Sequence, residues 1–434
     1  MLTHLLSFLD KHRWWIFGFT SKVFRYLPVP FLLAACSSEI SEQDQPLVEV
    51  NGYPITVGAF ERSYVQTLIS TGENDTPKGR FDHLDLLIDE HLWYEEALRR
   101  QLDSDSLTAQ FGQLALKRAV GGRYYELEFV ETLSPLSDAE VRQAFVRDQQ
   151  PIMVRHLFFR NEPEANASHA RLLGGQSFIA EAQQVYQTDR FDSTAGWLGE
   201  IRYFQVDDAF AEMAFSLPID SFSSPTRSRQ GWHIIKVEDR LSTPIITESE
   251  FQTRKDGIKS LVKIRKRRLE GDRFVRSFMS ALDIQVLPQG VRSLTAALGR
   301  LTNSSITLDH SFDTAPLPLT PDTPLATFTI NGVNEIFTAD DYFFWLPELP
   351  LSEASTNPSA SLGRAIRNEA FALAGLNLGL EQDKIVIEDI ESSIRTYLAN
   401  SMRQLESNST MITDLRLSAS IHVDSTLFQE IMKL

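Results

Sequence analysis

A single cysteine in 434 residues leaves no internal disulfide framework. Basic residues are the minority. There are 42 lysines and arginines against 58 aspartates and glutamates, and the formal net charge of -16 argues against a general nucleic-acid binder and for a soluble, self-repelling surface. The short apolar run in "YLPVPFLLAAC" falls below the roughly 20 residues that a spanning helix needs. What the chain does have is length, enough for about two or three domains with cores of their own.

The cysteine ends that apolar run. Lys22 and Arg25 precede it, and Leu33-Ala34-Ala35-Cys36 closes it with small residues just before the thiol. Residues 1–36 thus resemble a bacterial lipoprotein signal, which implies that Cys36 is the acylated first residue of the mature protein. A free cysteine after an ordinary signal or anchor is the other reading. Ser37, where aspartate would be the inner-membrane retention signal, implies a periplasm-facing lipid anchor in the bacterial cell envelope, at the outer membrane. Residues 37–46 are polar and read as a tether.

From Leu47, "LVEVNGYPITVGAFERSY" predicts a strand, an Asn51-Gly52 turn, a second strand and a helix capped by Thr56. Helices follow at "FDHLDLLIDEHLWYEEALRRQL" and "LSDAEVRQAFVRD", the latter with Ser137 and Glu140 in capping-box spacing. A mixed stretch, 151–242, precedes the long basic helix "TESEFQTRKDGIKSLVKIRKRRLEGDRFVRSFMSAL", read as a packing helix with a solvated charged face. The strand "LDIQVLP" ends that unit and is expected to pair with "LVEVNG". The Pro- and Thr-rich run "HSFDTAPLPLTPDTP" places a linker within 289–324. Beyond it, "TFTINGVNEIFTADDYFFW" repeats the opening pattern, Asn331-Gly332 included. Residues 325–434 therefore read as a second, diverged helical module.

Two histidines stand out in the mixed stretch. In "QGWHIIKVED" a glycine opens a β-branched strand and His233 sits near its start; in "IMVRHLFFR" His156 lies between apolar residues of another strand. Alone, each reads as a half-buried strand histidine. Between them come a helix, the Gly-x-Leu-Gly strand start Gly196-Trp197-Leu198-Gly199, a Phe-bearing helix, and the Gly-x-His strand of His233. This order resembles the parvulin (PpiC) type of peptidyl-prolyl cis-trans isomerase domain, and the whole resembles the SurA/PrsA-like extracytoplasmic foldases.

The resemblance implies an α+β fold. A parvulin domain at 151–242, an antiparallel sheet flanked by helices, would be inserted in a mainly helical chaperone domain formed by 47–150 and 243–288. The module at 325–434 would follow. It implies a catalytic set of His156, His233, the hydroxyl of Ser228 that fixes their tautomers, and Asp189 facing the substrate carbonyl; Asp189 also reads as a plain loop residue. Leu198, Val206 and Phe210 would line a proline pocket, with Phe215 behind them.

Trp197 replaces a usual aspartate, Val206 a methionine and Ser228 a threonine, and "RNEPEANAS" offers only Arg160 for a phosphate. Neither cofactor nor metal is expected, because a strand-centred histidine pair joined through a hydroxyl suits hydrogen bonding better than coordination. The implied partners are unfolded or partly folded polypeptides containing X-Pro bonds. The implied function is isomerase and folding chaperone for extracytoplasmic proteins. A non-catalytic holdase with an inactive parvulin fold, and a structural envelope lipoprotein, are the alternatives.

Overall fold

The structure is a computed structural model that describes residues 42–187, 195–241, 247–303, 319–407 and 410–432. The expected signal, Cys36, the first half of the tether (37–41) and Asp189 lie outside these residues. In chain order the elements are β1 (Pro46–Val50), β2 (Tyr53–Thr56), α1 (Val57–Thr71), α2 (Pro77–Arg99), α3 (Ser106–Tyr125) and α4 (Asp138–Gln149). Then come β3 (Ile152–Phe159), α5 (Glu162–Leu173), α6 (Phe178–Tyr186), β4 (Trp197–Ile201), α7 (Asp208–Ser216), β5 (Thr226–Arg227) and β6 (Trp232–Arg240). After these follow α8 (Glu248–Ala281), β7 (Gln285–Val286), α9 (Pro288–Asn303), β8 (Pro324–Ile330), β9 (Val333–Thr338) and α10 (Ala339–Trp345). The last are α11 (Leu351–Thr356), α12 (Pro358–Asn377), α13 (Lys384–Leu405), α14 (Met411–Ser418), β10 (Ile421–Val423) and α15 (Ser425–Ile431). Among the described residues no helix is long and apolar enough to cross a membrane.

The chain divides into two compact units, one made of the residues up to Ile88 together with those from Thr413, the other of Asp89–Ile412. In the first, the hairpin β1–β2 turns at Asn51 and Gly52, whose φ of 51° and 83° are the left-handed pair that such a two-residue turn requires. Thr56 caps α1 by accepting the Ala59 N–H at 3.2 Å. The outer edge of β1 is occupied by β10, with Val48 opposite Val423 and Val50 opposite Ile421. Phe428 and Ile431 of α15 are buried, and the Phe428 ring meets Phe60 of α1 edge-on at 6.0 Å.

This corrects the sequence-based pairing. "DIQVL" does not close on the opening strand: β7 pairs instead with β8, Gln285 opposite Thr327 and Val286 opposite Ala326, while the strand of the second module closes on the first hairpin. The two repeats exchange their last strands. Strands of two and three residues carry almost no register information of their own. The pairing of β7 is fixed by its neighbours, where Leu282 is buried and its carbonyl accepts the Thr329 N–H at 2.6 Å. The expected linker is also corrected. Residues 288–303 form α9, whose Leu294, Ala297 and Leu298 are buried against Leu325 and Phe328 of β8. Residues 304–318 of that linker lie outside the described residues.

In the second unit, four strands form the antiparallel sheet β4-β3-β6-β5. One face packs Ile152, Val154, Ile235 and Val237 on Phe210 and Phe215 of α7 and on Phe251 and Ile258 of α8; the other packs Leu157 and Ile234 on α5 and α6. The long basic helix is continuous through Gly257 and Gly271. Its charged face is not wholly solvated: Arg265 is buried, donates to Asp208 Oδ1 at 3.0 Å and to the Tyr203 carbonyl at 2.5 Å, and lies over the Tyr203 ring at 3.9 Å. That clamp fixes the start of α7, which carries Phe210.

Candidate active site

Strand register brings the two histidines together. β3 and β6 run antiparallel with His156 opposite Ile235 and Phe158 opposite His233. The imidazoles therefore share one face as diagonal neighbours, within side-chain reach. Their Nδ1 atoms are 3.4 Å apart and their rings nearly parallel, centroids 5.6 Å apart at 17°. Ser228 Oγ lies 2.8 Å from His233 Nε2 and accepts the Gln230 N–H at 3.0 Å.

One set of tautomers satisfies those contacts with every donor in them matched to an acceptor. The buried Ser228 oxygen already accepts one N–H, and its own proton needs an acceptor, which His233 Nε2 supplies. His233 then carries its proton on Nδ1 and donates to His156 Nδ1, so the His156 proton sits on Nε2. In that set Ser228 Oγ and both ring nitrogens of His233 are paired, and His156 Nδ1 accepts at the outer end.

Two glycines make room for this. A Cβ on Gly231, whose φ is 153°, would lie 2.6 Å from the Phe159 carbonyl and 2.7 Å from the Phe158 ring. A Cβ on Gly196, at φ 69°, would lie 2.8 Å from the His156 carbonyl, and the Gly196 carbonyl accepts the His156 N–H at 2.8 Å. The glycine that opens "GWHIIKV" is there because the neighbouring strand passes too close for any side chain.

Phe210 is buried on α7 and turns its edge to both imidazoles, at 5.9 Å and 76° from His156 and at 5.3 Å and 90° from His233. Val206 packs on the same cluster as Phe210 and Phe215. Leu198 stands apart from that cluster: it is 42% exposed, on the edge strand β4, at an irregularity in the pairing of β4 with β3. The structure thus joins His156, His233, Ser228, Phe210 and Val206, and leaves Leu198 at the surface.

Three residues of the site were not foreseen. Asp207 caps α7 through Oδ1, accepting the Ala209 and Phe210 N–H groups, and its charge acts on His233. Phe158 lies against His233 at 5.3 Å, and the Tyr186 hydroxyl donates to the His156 carbonyl at 3.1 Å. An acidic residue three before Phe210 is a readable cap signal. The tyrosine carries no sequence signal, because its partner is a backbone atom of a distant strand.

Burial pushes the His156 imidazole below its ordinary range. His233 is pushed down to about 4, first by burial, then by His156 beside it, with Asp207 opposing. An unfolded chain titrates these groups near the ordinary value of about 6.5. Between roughly pH 6.5 and 4 the unfolded state therefore binds protons that the folded state refuses, so stability falls as the pH falls through that window. Above it the pair adds no pH dependence. The expected loss from His233 by pH 4 is on the order of 3 kcal/mol. Urea midpoints taken across the window check this, and the slope should flatten in His233→Asn; an unchanged slope would show that the pair is not held neutral. Among the described residues no group of three or more His, Cys, Asp or Glu side chains is placed to hold a metal ion.

Comparison with known proteins agrees with this geometry. The family described as "Rotamase: PPIC-type PPIASE domain" matches residues 161–239, a span that begins after His156 and includes Ser228 and His233. The chain carries a PpiC-type, parvulin-like peptidyl-prolyl isomerase domain within a mixed helical and sheet fold.

Among curated relatives, a "Parvulin-like PPIase" of Rickettsia prowazekii is 29% identical over 116 residues, 26% of this chain and 41% of that protein. A "Foldase protein PrsA" of Clostridium acetobutylicum is 27% identical over 178 residues, 39% of this chain and 52% of that protein. A "Chaperone SurA" of Chromohalobacter salexigens is 31% identical over 106 residues, 22% of this chain and 24% of that protein. The matches span about half or less of these relatives.

Proposed function

We propose that this chain is an extracytoplasmic foldase that isomerises X-Pro bonds at the His156–His233 site and holds unfolded polypeptide with its helical parts. The observation that carries the reading is the contact chain Ser228–His233–His156 with the Phe210 ring set perpendicular to both imidazoles. Rotation about X-Pro is limited by amide resonance, with a barrier near 20 kcal/mol. An enzyme needs no nucleophile for this; it need only favour the twisted amide over the planar one. Phe210 and Val206, with Leu198 at the rim, hold the pyrrolidine ring and keep water from the carbonyl, which weakens its resonance. The neutral imidazoles present fixed dipoles, oriented by Ser228, to a carbonyl that loses charge as the amide twists. Asp189 is proposed to face that carbonyl and to oppose its polarised planar form. Each 1.4 kcal/mol or so removed from the barrier gives about tenfold in rate, so a few such contacts suffice.

The isomerase domain at 151–242 would be inserted between the helical segments 47–150 and 243–288, and the helical part of 325–434 would add surface for the same clients. Acylation of Cys36 would hold the protein at the periplasmic face of the outer membrane. A protease-coupled assay on a short X-Pro peptide tests the central reading: the purified chain should accelerate isomerisation catalytically. No acceleration, together with retained suppression of client aggregation, would replace this reading with that of a holdase.

A further inference from the structure

A cleft of about 820 Å³ opens between α3, α8 and α12, and Arg229 is among its lining residues. Six of those residues are cationic and two acidic, in a chain of net charge -16. Three of the cations have carboxylates at hand: Lys117 is 2.7 Å from Glu369, Arg118 is 3.3 Å from Glu348, and Arg268 is 3.6 Å from Asp208. The others, Arg229, Arg267 and Arg367, make no ion pair among the described residues. The Arg367 guanidinium donates to the Asn368 Oδ1, at 2.8 and 3.3 Å. Burial, with Arg364 beside it, pulls Arg367 below the ordinary arginine value, against the opposing pull of Tyr125 and Glu353.

The walls are as informative as the charges. Tyr125 and Phe371 line the cleft, their rings 5.8 Å apart. Gly121 and Gly271 are explained by packing, since a Cβ would press on Ala372 and Phe371 in one case and on Tyr125 and Phe129 in the other. Gly122 is not: it lies inside α3, it lines the cleft, and a Cβ there would meet nothing within 4 Å. Glycine is the poorest helix former after proline, so an unobstructed helical glycine serves an open floor better than it serves the helix. The unpaired cations come from three parts of the chain, the turn before β6, α8 and α12, and the cleft they line is large enough for carboxylates carried along a peptide. Arg229 directly follows Ser228, whose hydroxyl holds His233, so the cleft and the histidine site share one turn.

We propose that this cleft binds an acidic segment of the client polypeptide that also carries aromatic side chains, while a proline of the same client occupies the histidine site. The inference rests on the foldase reading and adds a client class to it. The probe is a fluorescent unfolded peptide with alternating Asp/Glu and aromatic residues and no proline, compared with its Asn/Gln counterpart on the full chain. The acidic peptide should bind about tenfold or more tighter, with salt weakening it. The preference should vanish in Arg267→Gln/Arg367→Gln.

Gly122→Leu should reduce peptide affinity by about tenfold while the thermal midpoint stays or rises, which separates plugging from unfolding. Equal binding of the two peptides, a preference that survives the double arginine change, or unaltered binding in Gly122→Leu overturns the proposal. So does an arginine-dependent affinity for phosphatidylglycerol vesicles that displaces the acidic peptide. Turnover of a short neutral X-Pro peptide by the wild-type chain reports separately on the isomerase reading.

Discussion

A chain ending at Ser418 loses the fold of its first hairpin, although the deletion lies more than 360 positions away in sequence. Removing β10 opens the edge of β1 along Val48–Val50, and removing α15 takes out the buried Phe428 and Ile431, the former set against Phe60 of α1. Each such side chain contributes roughly 1.5–3 kcal/mol by burial. The backbone bonds Asn51 N–H to the Ser420 carbonyl and Asp424 N–H to the Leu47 carbonyl go as well. A unit this small has little stability to spare. The expected result is loss of hydrogen-exchange protection in residues 47–60 of the truncated chain, while Val154 and Ile235 in the four-stranded sheet stay protected. A fragment of residues 47–288, the module expected from the sequence with its insert, should leave the same hairpin unprotected because β7 belongs to β8. Native-like protection of Val48 and Val50 in that fragment would restore the simpler pairing and remove the strand exchange.

That exchange marks the limit of what was legible. Local signals were read correctly wherever the chain makes its own structure. Both Asn-Gly turns adopt left-handed pairs, Thr56 caps its helix, and Ser137 with Glu140, like Thr338 with Asp341, forms a reciprocal cap. His156 and His233 were legible as a pair only through the resemblance carried by the order of elements, and the register of β3 on β6 places them on one face. Which of two similar hairpins receives which short closing strand is decided by burial of Leu282 on one side and Phe428 on the other, and neither contact is local. α9 was hidden by the proline-rich run after it, though Val291, Leu294 and Leu298 have helical spacing. The buried Arg265 was taken for a solvated charge because its partners, Tyr203 and Asp208, are about 60 positions away. Leu198 is assigned to the pocket by the resemblance, and the structure shows it 42% exposed on β4 and apart from the Phe210 cluster.

Replacing His233 by alanine is expected to lower kcat/KM for a short X-Pro peptide by at least about tenfold, with most of the loss in kcat. The direction follows from the position of the ring. It is the middle member of the chain, so its loss leaves the Ser228 hydroxyl unpaired and removes the donor that sets the His156 tautomer. It also removes the ring against which the Phe210 edge is packed at 5.3 Å, so the floor of the proline slot loosens at the same time. Ser228→Ala should cost less, because the Nδ1 contact between the imidazoles survives and only the choice of tautomer is freed. His156→Ala should cost about as much as His233→Ala, and the double change little more than either, since residues acting as one unit do not add. Additive losses would mean two independent contributions. A fully active, folded double variant would show that the paired imidazoles hold the sheet together and leave the amide to another group. Thermal midpoints measured alongside separate these cases, and Ser228→Thr, which keeps the hydroxyl, should restore the rate that Ser228→Ala loses.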